Sequence, residues 1–186
     1  NISFIINNAD VESAISCLHS HIFSDKTKKN LFIAGVGLIG SSLVELVENN
    51  GSVNICGLIN SKKMIINSKG VNCKNWKAEL DKSLDADFDS FIDKALEVPN
   101  SIFVDVTASK QISLKTSQLL AKGINIVTAN KIANSIHQEY YDDIRTSASI
   151  GESQFRYETN VGAGLPVIET LKTLLQTGDK ILKIEG

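Results

Sequence analysis

Residues 31–44 read Leu31-Phe32-Ile33-Ala34-Gly35-Val36-Gly37-Leu38-Ile39-Gly40-Ser41-Ser42-Leu43-Val44. A short apolar run, of the kind that forms a strand, stops at Gly35. Leu43, Val44 and Val47 then recur at helical spacing, so the expected strand over 31–34 gives way to a helix over 41–49. Between the two, Gly35, Gly37 and Gly40 satisfy G-x-G-x-x-G, a hexamer that is weak alone but informative where it joins a strand to a helix. Gly35 permits the tight turn, Gly37 lets the backbone approach a pyrophosphate, and Gly40 allows helix and strand to pack closely. The N–H groups at the helix start, on Leu38 and Ile39, face the anion. Glycines serving only a tight turn are the plainer alternative, and the strand–helix context favours the nucleotide site over it.

Outward from this hexamer the pattern repeats. Strands are expected over 53–59, 102–106, 124–127, 154–158 and 180–184. Helices are expected over 76–84, 88–96, 109–121, 134–149 and 166–176. The stretch 61–75 yields no secure element. Short apolar strands alternating with helices of about ten residues predict an α/β fold, a doubly wound parallel sheet of Rossmann type with helices on both faces. Ahead of it a strand over 1–6 and a helix over 10–23 are expected, with Asp10 as N-cap and Val11, Ala14, Ile15, Leu18 and Ile22 on one face. That pair is too small to bury its own apolar face, so it packs on the main domain or is the remnant of a neighbouring one. Residues 25–30 are polar and lysine-rich and read as a linker to a domain over 31–186.

The bulk properties narrow the function. The chain has 186 residues, 42% of them hydrophobic, a length that suits one compact domain with a small appendage. It contains no apolar run long enough to span a membrane and no signal peptide. The chain starts at Asn1 rather than Met, which is read as a start inside a longer protein. A formal charge of -2 with scattered lysines gives no electrostatic case for nucleic acid. Cys17, Cys56 and Cys73, odd in number and without CxxC spacing, fit reduced thiols in a cytoplasmic protein. His19, His21 and His137 have no partners at zinc-ligand spacing.

The end of the second strand bears on which dinucleotide binds. NAD-preferring folds usually place an Asp or Glu there for the ribose 2′-hydroxyl. Here the sequence runs Ile59-Asn60-Ser61-Lys62-Lys63. Asn60, Ser61 and Lys62 would accept a 2′-phosphate, so NADP is expected, with NAD possible; the alternative is that the lysines merely solvate a loop. Thr107, Ala108 and Ser109 follow the third strand, at the edge where open sheets bind ligands. They either touch the cofactor or begin the next helix, with Ser109 as its N-cap. Lys131, just past the fourth strand, can polarise a carbonyl or exchange a proton with a hydroxyl; a plain surface lysine is the competing reading. Gly162-Ala163-Gly164-Leu165-Pro166 is a second glycine-rich loop, and Pro166 suits a first helical turn. Glu158 with carbonyls of this loop offers oxygen ligands to a hard cation.

Residues 157–169, Tyr157-Glu158-Thr159-Asn160-Val161-Gly162-Ala163-Gly164-Leu165-Pro166-Val167-Ile168-Glu169, resemble the signature of the homoserine dehydrogenase family. Val127-Thr128-Ala129-Asn130-Lys131 resembles that family's lysine motif, and Val104-Asp105-Val106-Thr107-Ala108-Ser109 its third-strand edge. Residues 56–62 resemble the enzymes fused to aspartokinase in particular. Residues 1–24 resemble the tail of the ACT-type regulatory region in those fusions. The likeness covers nearly the whole chain.

The resemblance implies NAD(P)-linked interconversion of L-homoserine and L-aspartate 4-semialdehyde, on the route to threonine and methionine. It implies that Lys131 is catalytic or orients substrate, and that Gly164 lies near the nicotinamide. It also implies that a monovalent cation such as sodium is held by Glu158 with the carbonyls of Val161, Ala163 and Leu165. Further acidic substrate ligands, a second lysine and the dimer interface of the family lie downstream of the region matched. The expected parent is therefore a homo-oligomer, and this chain alone an inactive, weakly binding piece. Three other readings compete: a dinucleotide-binding regulatory or sensor module without catalysis, a dehydrogenase for another small aldehyde or hydroxy acid, and an interaction domain with a vestigial site.

Overall fold

In the computed structural model of the chain, the described residues are 28–49, 51 and 53–185, together with Asn7, Asp10, Val11 and Ile15. The expected strand over 1–6, nearly all of the expected helix over 10–23 and the first half of the expected linker lie outside them. In chain order the elements are β1 (Lys29–Ala34), α1 (Leu38–Glu48), β2 (Val53–Ile59), β3 (Lys63–Ile66), α2 (Trp76–Asp81), β4 (Leu84–Asp85) and α3 (Phe88–Glu97). There follow β5 (Ser101–Asp105), α4 (Lys110–Ser113), α5 (Thr116–Ala121), β6 (Asn125–Thr128), α6 (Gln138–Ile150), β7 (Phe155–Arg156) and α7 (Ile168–Gln176). Single 3-10 turns stand at Ile132–Asn134 and Glu158–Asn160.

Among the described residues seven strands form one sheet in the order β4-β3-β2-β1-β5-β6-β7. The five strands β2-β1-β5-β6-β7 are mutually parallel, as their separation by helices predicts. The chain steps one way from β1 to β2 and the other way from β5 through β7. Right-handed parallel connections then put the intervening helices on opposite faces. Val44 of α1 with Trp76 and Leu80 of α2 pack on Leu31, Ile33, Ile55, Leu58 and Val104. Phe91 of α3, Leu119 and Leu120 of α5 and Ile144 of α6 pack on Phe32, Ala34, Phe103 and Ile126. The central strands β1, β2 and β5 thus divide their side chains between two cores at a period of two.

β2 breaks that period once. Leu31 pairs with Ile55 but Phe32 pairs with Gly57, so Cys56 is an extra residue in the ladder. Cys56 belongs to the core on the Phe32 side, and a β-carbon at Gly57 would stand 2.5 Å from the Phe32 ring and 2.8 Å from that of Phe91. Two successive residues therefore share a face, and the second has no side chain because two rings fill its place. The rings meet edge to face, with centroids 5.5 Å apart.

One stretch left open by the sequence is filled and two expectations are corrected. The stretch 61–75 supplies β3, antiparallel to β2, with β4 antiparallel beyond it, so the sheet is mostly rather than wholly parallel. Ser61 and Lys62 are the two-residue turn of the β2–β3 hairpin: the Asn60 N–H donates to the Lys63 carbonyl at 2.9 Å. The expected helix over 109–121 is broken at Leu114 and Lys115, where the Lys115 N–H closes a tighter turn on the Ile112 carbonyl at 3.0 Å. The expected strand over 180–184 is absent. Residues 179–185 carry no regular structure, and Leu182 and Ile184 are 93% and 77% exposed. Apolar spacing alone makes no strand without a neighbouring ladder, and no strand of the described sheet extends a ladder to these residues. Among the described residues no helix is long and apolar enough to cross a membrane.

Candidate functional site

The order in which the chain adds its strands reverses between the parallel neighbours β1 and β5. An open α/β sheet leaves a crevice at such a point, past the carboxyl ends of its strands. Here the crevice is about 960 Å³ and is walled by Gly35, Val36 and Gly37 after β1 and by Val106 to Ser109 after β5. Asn60 and Ser61 border it from the β2–β3 turn, and Ala86 to Asp89 close the far side.

The three fingerprint glycines differ in what holds them. Gly35 has φ +93, and a β-carbon there would stand 2.9 Å from both Thr107 Cγ2 and the Val106 carbonyl oxygen. A β-carbon on Gly40 would be 2.0 Å from the Gly35 carbonyl oxygen. Gly37 has an ordinary φ of -73, and a β-carbon on it would meet nothing within 4 Å. The fold requires the first and third of these residues, whereas the space in front of the second is open to the crevice. Gly37 is also the N-cap of α1 and offers no side-chain cap, and the first helical turn contains no acid. The first helical bond runs from the Ser41 N–H to the Gly37 carbonyl, which leaves the N–H groups of Leu38, Ile39 and Gly40 ahead of the ladder.

Asn60 Oδ1 accepts the N–H groups of both Lys62 and Lys63 at 2.7 Å, which fixes the turn. The Lys63 ammonium is committed to Asp85 at 2.9 Å and to the Ser83 carbonyl at 3.2 Å. Lys62 is exposed at the tip. Beyond β5, the Ser109 hydroxyl accepts the Ile112 N–H at 3.3 Å and caps α4, as its position predicts. Asp87 likewise caps α3 by accepting the Ser90 N–H at 3.1 Å.

Lys131 and Gly164 are exposed and stand outside the crevice lining. Lys131 opens the 3-10 turn over Ile132–Asn134. Its predecessor Asn130 is only 3% exposed and reaches back to the crevice edge after β5, donating from Nδ2 to Asp105 Oδ2 and to the Ser109 carbonyl, both at 3.1 Å. Asp105 is also 3% exposed, and its Oδ1 accepts the Thr107 hydroxyl at 2.7 Å and the Thr107 N–H at 2.9 Å. Burial pushes the Asp105 carboxyl above its ordinary value, against the hydrogen bonds from Thr107 and Asn130 that favour its charged form. Neither residue was among the sequence candidates. Asp105 carries a signal, since an acid inside Phe103-Val104-Asp105-Val106 contradicts the apolar run around it and so calls for buried partners.

Glu158 serves a helix. Its two carboxylate oxygens accept the N–H groups of Ile168 at 2.8 Å and Glu169 at 3.0 Å, capping α7. Pro166 precedes that helix by two residues rather than entering it. In the glycine-rich loop, Gly162 and Ala163 both take the left-handed backbone, with φ 71 and 52. Among the described residues no group of three His, Cys, Asp or Glu stands together as a metal site. An oxygen site built from one carboxylate and main-chain carbonyls remains chemically suited to a hard cation. Arg145 bridges the neighbouring loops, donating to Tyr157 Oη at 2.9 Å and to Asn134 Oδ1 at 3.4 Å. Burial works to raise the Tyr157 phenol, but the charges of Arg145 and Lys172 outweigh it and hold the phenol below its ordinary value.

The family model described as homoserine dehydrogenase, NAD binding domain, matches residues 35–158. A bifunctional aspartokinase/homoserine dehydrogenase of Haemophilus influenzae is 35% identical over the whole chain, which spans 24% of that relative. A chloroplastic bifunctional aspartokinase/homoserine dehydrogenase of Arabidopsis thaliana is 36% identical over the whole chain, which spans 22% of it. The chain thus covers about a quarter of the length of these relatives. A hyperthermophilic archaeal homoserine dehydrogenase solved in complex with NADPH superposes with a TM-score of 0.64 at 24% identity, over 78% of this chain and 48% of that one.

Proposed function

The chain belongs to the family of homoserine dehydrogenase NAD-binding domains, and from that membership we propose that its full-length protein interconverts L-homoserine and L-aspartate 4-semialdehyde with NADP. The observation that carries the reading is the crevice at the β1–β5 switch point, where the fingerprint glycines and the Thr107–Ser109 edge face one another. The names of the curated relatives support the substrate. NADPH in the archaeal neighbour supports the cofactor.

A bound dinucleotide supplies a hydride acceptor for the carbinol carbon of homoserine. The chain's own residues bind and orient. Gly37 admits the pyrophosphate, the N–H groups of Leu38, Ile39 and Gly40 complement its charge, and Thr107, Ala108 and Ser109 line the opposite wall. Asn60, Ser61 and Lys62 receive the 2′-phosphate. Support for NADP over NAD is the lack of a carboxylate at the end of β2 together with the exposed charge of Lys62. Lys131 meets the substrate oxygen: its ammonium polarises the aldehyde and gives up a proton to it in one direction, and the amine takes the hydroxyl proton in the other. Gly164 leaves room for the nicotinamide.

A monovalent cation such as sodium is assigned to Glu158 and the carbonyls of Val161, Ala163 and Leu165. It would share the carboxylate with the N-terminus of α7. Residues 1–24 are assigned to the tail of an ACT-type regulatory region and 25–30 to a linker. The full-length protein is taken as a cytoplasmic homo-oligomer that binds no nucleic acid. The isolated chain, a quarter of its relatives' length, is expected to bind the dinucleotide without turnover.

The test is homoserine-dependent reduction of NADP by the full-length protein, beside calorimetric titration of the chain with NADPH and NADH. Activity lowered by about a hundredfold or more in Lys131→Ala, with NADPH bound more tightly than NADH, supports the catalytic and cofactor readings. Dinucleotide binding with no oxidation of homoserine would leave the sensor reading, which the position of Lys131 outside the crevice lining favours.

A further inference from the structure

We propose that Asn130 is a positioning residue for Lys131, locking the lysine's turn to the cofactor edge through Asp105. The inference rests on the role given above to Lys131. Lys131 is exposed, so nothing in its own packing fixes where its ammonium points. What is fixed is the peptide before it.

Asn130 spends its polar groups on three separate loops. Its Nδ2 donates to Asp105 Oδ2 at the end of β5 and, on the loop that follows, to the Ser109 carbonyl and, more distantly at 3.4 Å, to Thr107 Oγ1. Its Oδ1 accepts the Ile132 N–H at 3.1 Å, which bends the chain around Lys131 and starts the 3-10 turn. Its main-chain N–H donates to Thr128 Oγ1 at 2.9 Å, and its carbonyl accepts Asn160 Nδ2 at 3.3 Å from the loop after β7. A buried carboxamide with both ends engaged has one orientation, because turning it sets acceptor against acceptor at Asp105. That orientation sets the peptides on both sides of Lys131. The same side chain grips the Thr107–Ser109 wall of the crevice, so lysine and cofactor edge move as one body. Asp105 completes the device: an uncharged partner would give Nδ2 a weaker acceptor.

The decisive variant is Asn130→Asp. It keeps size and the acceptor toward Ile132 but replaces the donor with a second carboxylate facing Asp105. In the full-length protein kcat is expected to fall by about tenfold or more in Asn130→Asp. In the Lys131→Ala background the same change is expected to cost less than about twofold, since two residues acting through one function are not additive. An undiminished loss in that background would mean Asn130 supports the fold generally, and would overturn the proposal. A second readout needs no turnover. Acetic anhydride at limiting amount labels lysines according to their surroundings, and Lys131 in Asn130→Asp is expected to change its rate relative to Lys62 by more than about twofold. Unchanged Lys131 labelling overturns the proposal even if activity falls. Should the wild-type protein fail to oxidise homoserine, the functional reading falls while labelling still decides the positioning role. If Asn130→Asp does not fold, Asn130→Ser, which removes the donor without adding charge, enters both experiments with the same expectations.

Discussion

A β-carbon on Gly40 would lie 2.0 Å from the carbonyl oxygen of Gly35. The obstacle is backbone, so neither residue can yield by turning a side chain. Gly40→Ala must therefore lift the start of α1 off β1, with a loss of about 1–3 kcal/mol in stability. The N–H groups of the helix start move with it, so NADPH affinity should fall too. Urea unfolding and calorimetric titration check the pair of effects, and a variant as stable as wild type would contradict the contact.

Gly37→Ala separates binding from folding. Its φ of -73 suits any residue and its β-carbon meets open space. Stability is expected within about 0.5 kcal/mol of wild type. NADPH affinity should drop by about tenfold or more, because the new methyl stands where a pyrophosphate approaches. Unaltered affinity would move the phosphate away from Gly37.

Glu158→Ala removes both acceptors at the head of α7, a helix with no buried residue to hold it otherwise. The expected cost is about 1 kcal/mol, concentrated in that helix. Hydrogen exchange should quicken at the amides of Ile168 and Glu169 and stay unchanged in β1 and β5. Equal protection before and after the change would show that the cap contributes nothing.

Tyr157 should titrate below the usual phenol value of about 10, because Arg145 and Lys172 together outweigh its burial. Carbon-13 tyrosine NMR over an alkaline series reads this directly. Arg145→Met removes the guanidinium bonded to Tyr157 Oη, so the midpoint should rise. A midpoint that stays in place would mean Arg145 does not stabilise the phenolate.

Asp105 has its carboxyl pushed up by burial, so the folded state holds a proton at pH values where the unfolded chain has released it. Its contribution is most favourable below the unfolded value and is lost as pH rises through the folded one. The stability of wild type relative to Asp105→Asn should therefore increase as pH falls from neutral toward about 4. Chemical unfolding at several pH values measures it, and a pH-independent difference would show that desolvation does not dominate at this carboxyl.

The strand–glycine–helix unit was legible in the sequence because everything that specifies it is local: an apolar run, three glycines at fixed offsets, and a helical period. The edge after β5 was legible for the same reason, with Ser109 recognisable as a cap. β3 was missed although Met64-Ile65-Ile66 follows a turn-forming Asn60-Ser61, because three apolar residues lie at the lower limit of a strand signal. The strand expected over 180–184 had the opposite fault, a good apolar pattern with no ladder to join. Asn130 and Asp105 lie 25 positions apart, so no local pattern announces their contact. The crevice wall at Ala86–Asp89 depends on a strand of two residues, below what periodicity can detect.

The extra residue at Cys56 has a reach beyond its own pairing. Because Cys56 and Gly57 share a face, removing Cys56 would restore the period of two and leave Leu58 and Ile59 facing the cores they now face. What the extra residue adds is bend and twist in β2, and Ser61 and Lys62, five and six positions on, are carried at the end of the strand so bent. A single-residue deletion at Cys56 would thus straighten β2 and change the angle at which the Asn60–Lys63 turn meets the crevice, from roughly 16 Å away and without substituting any residue of that turn.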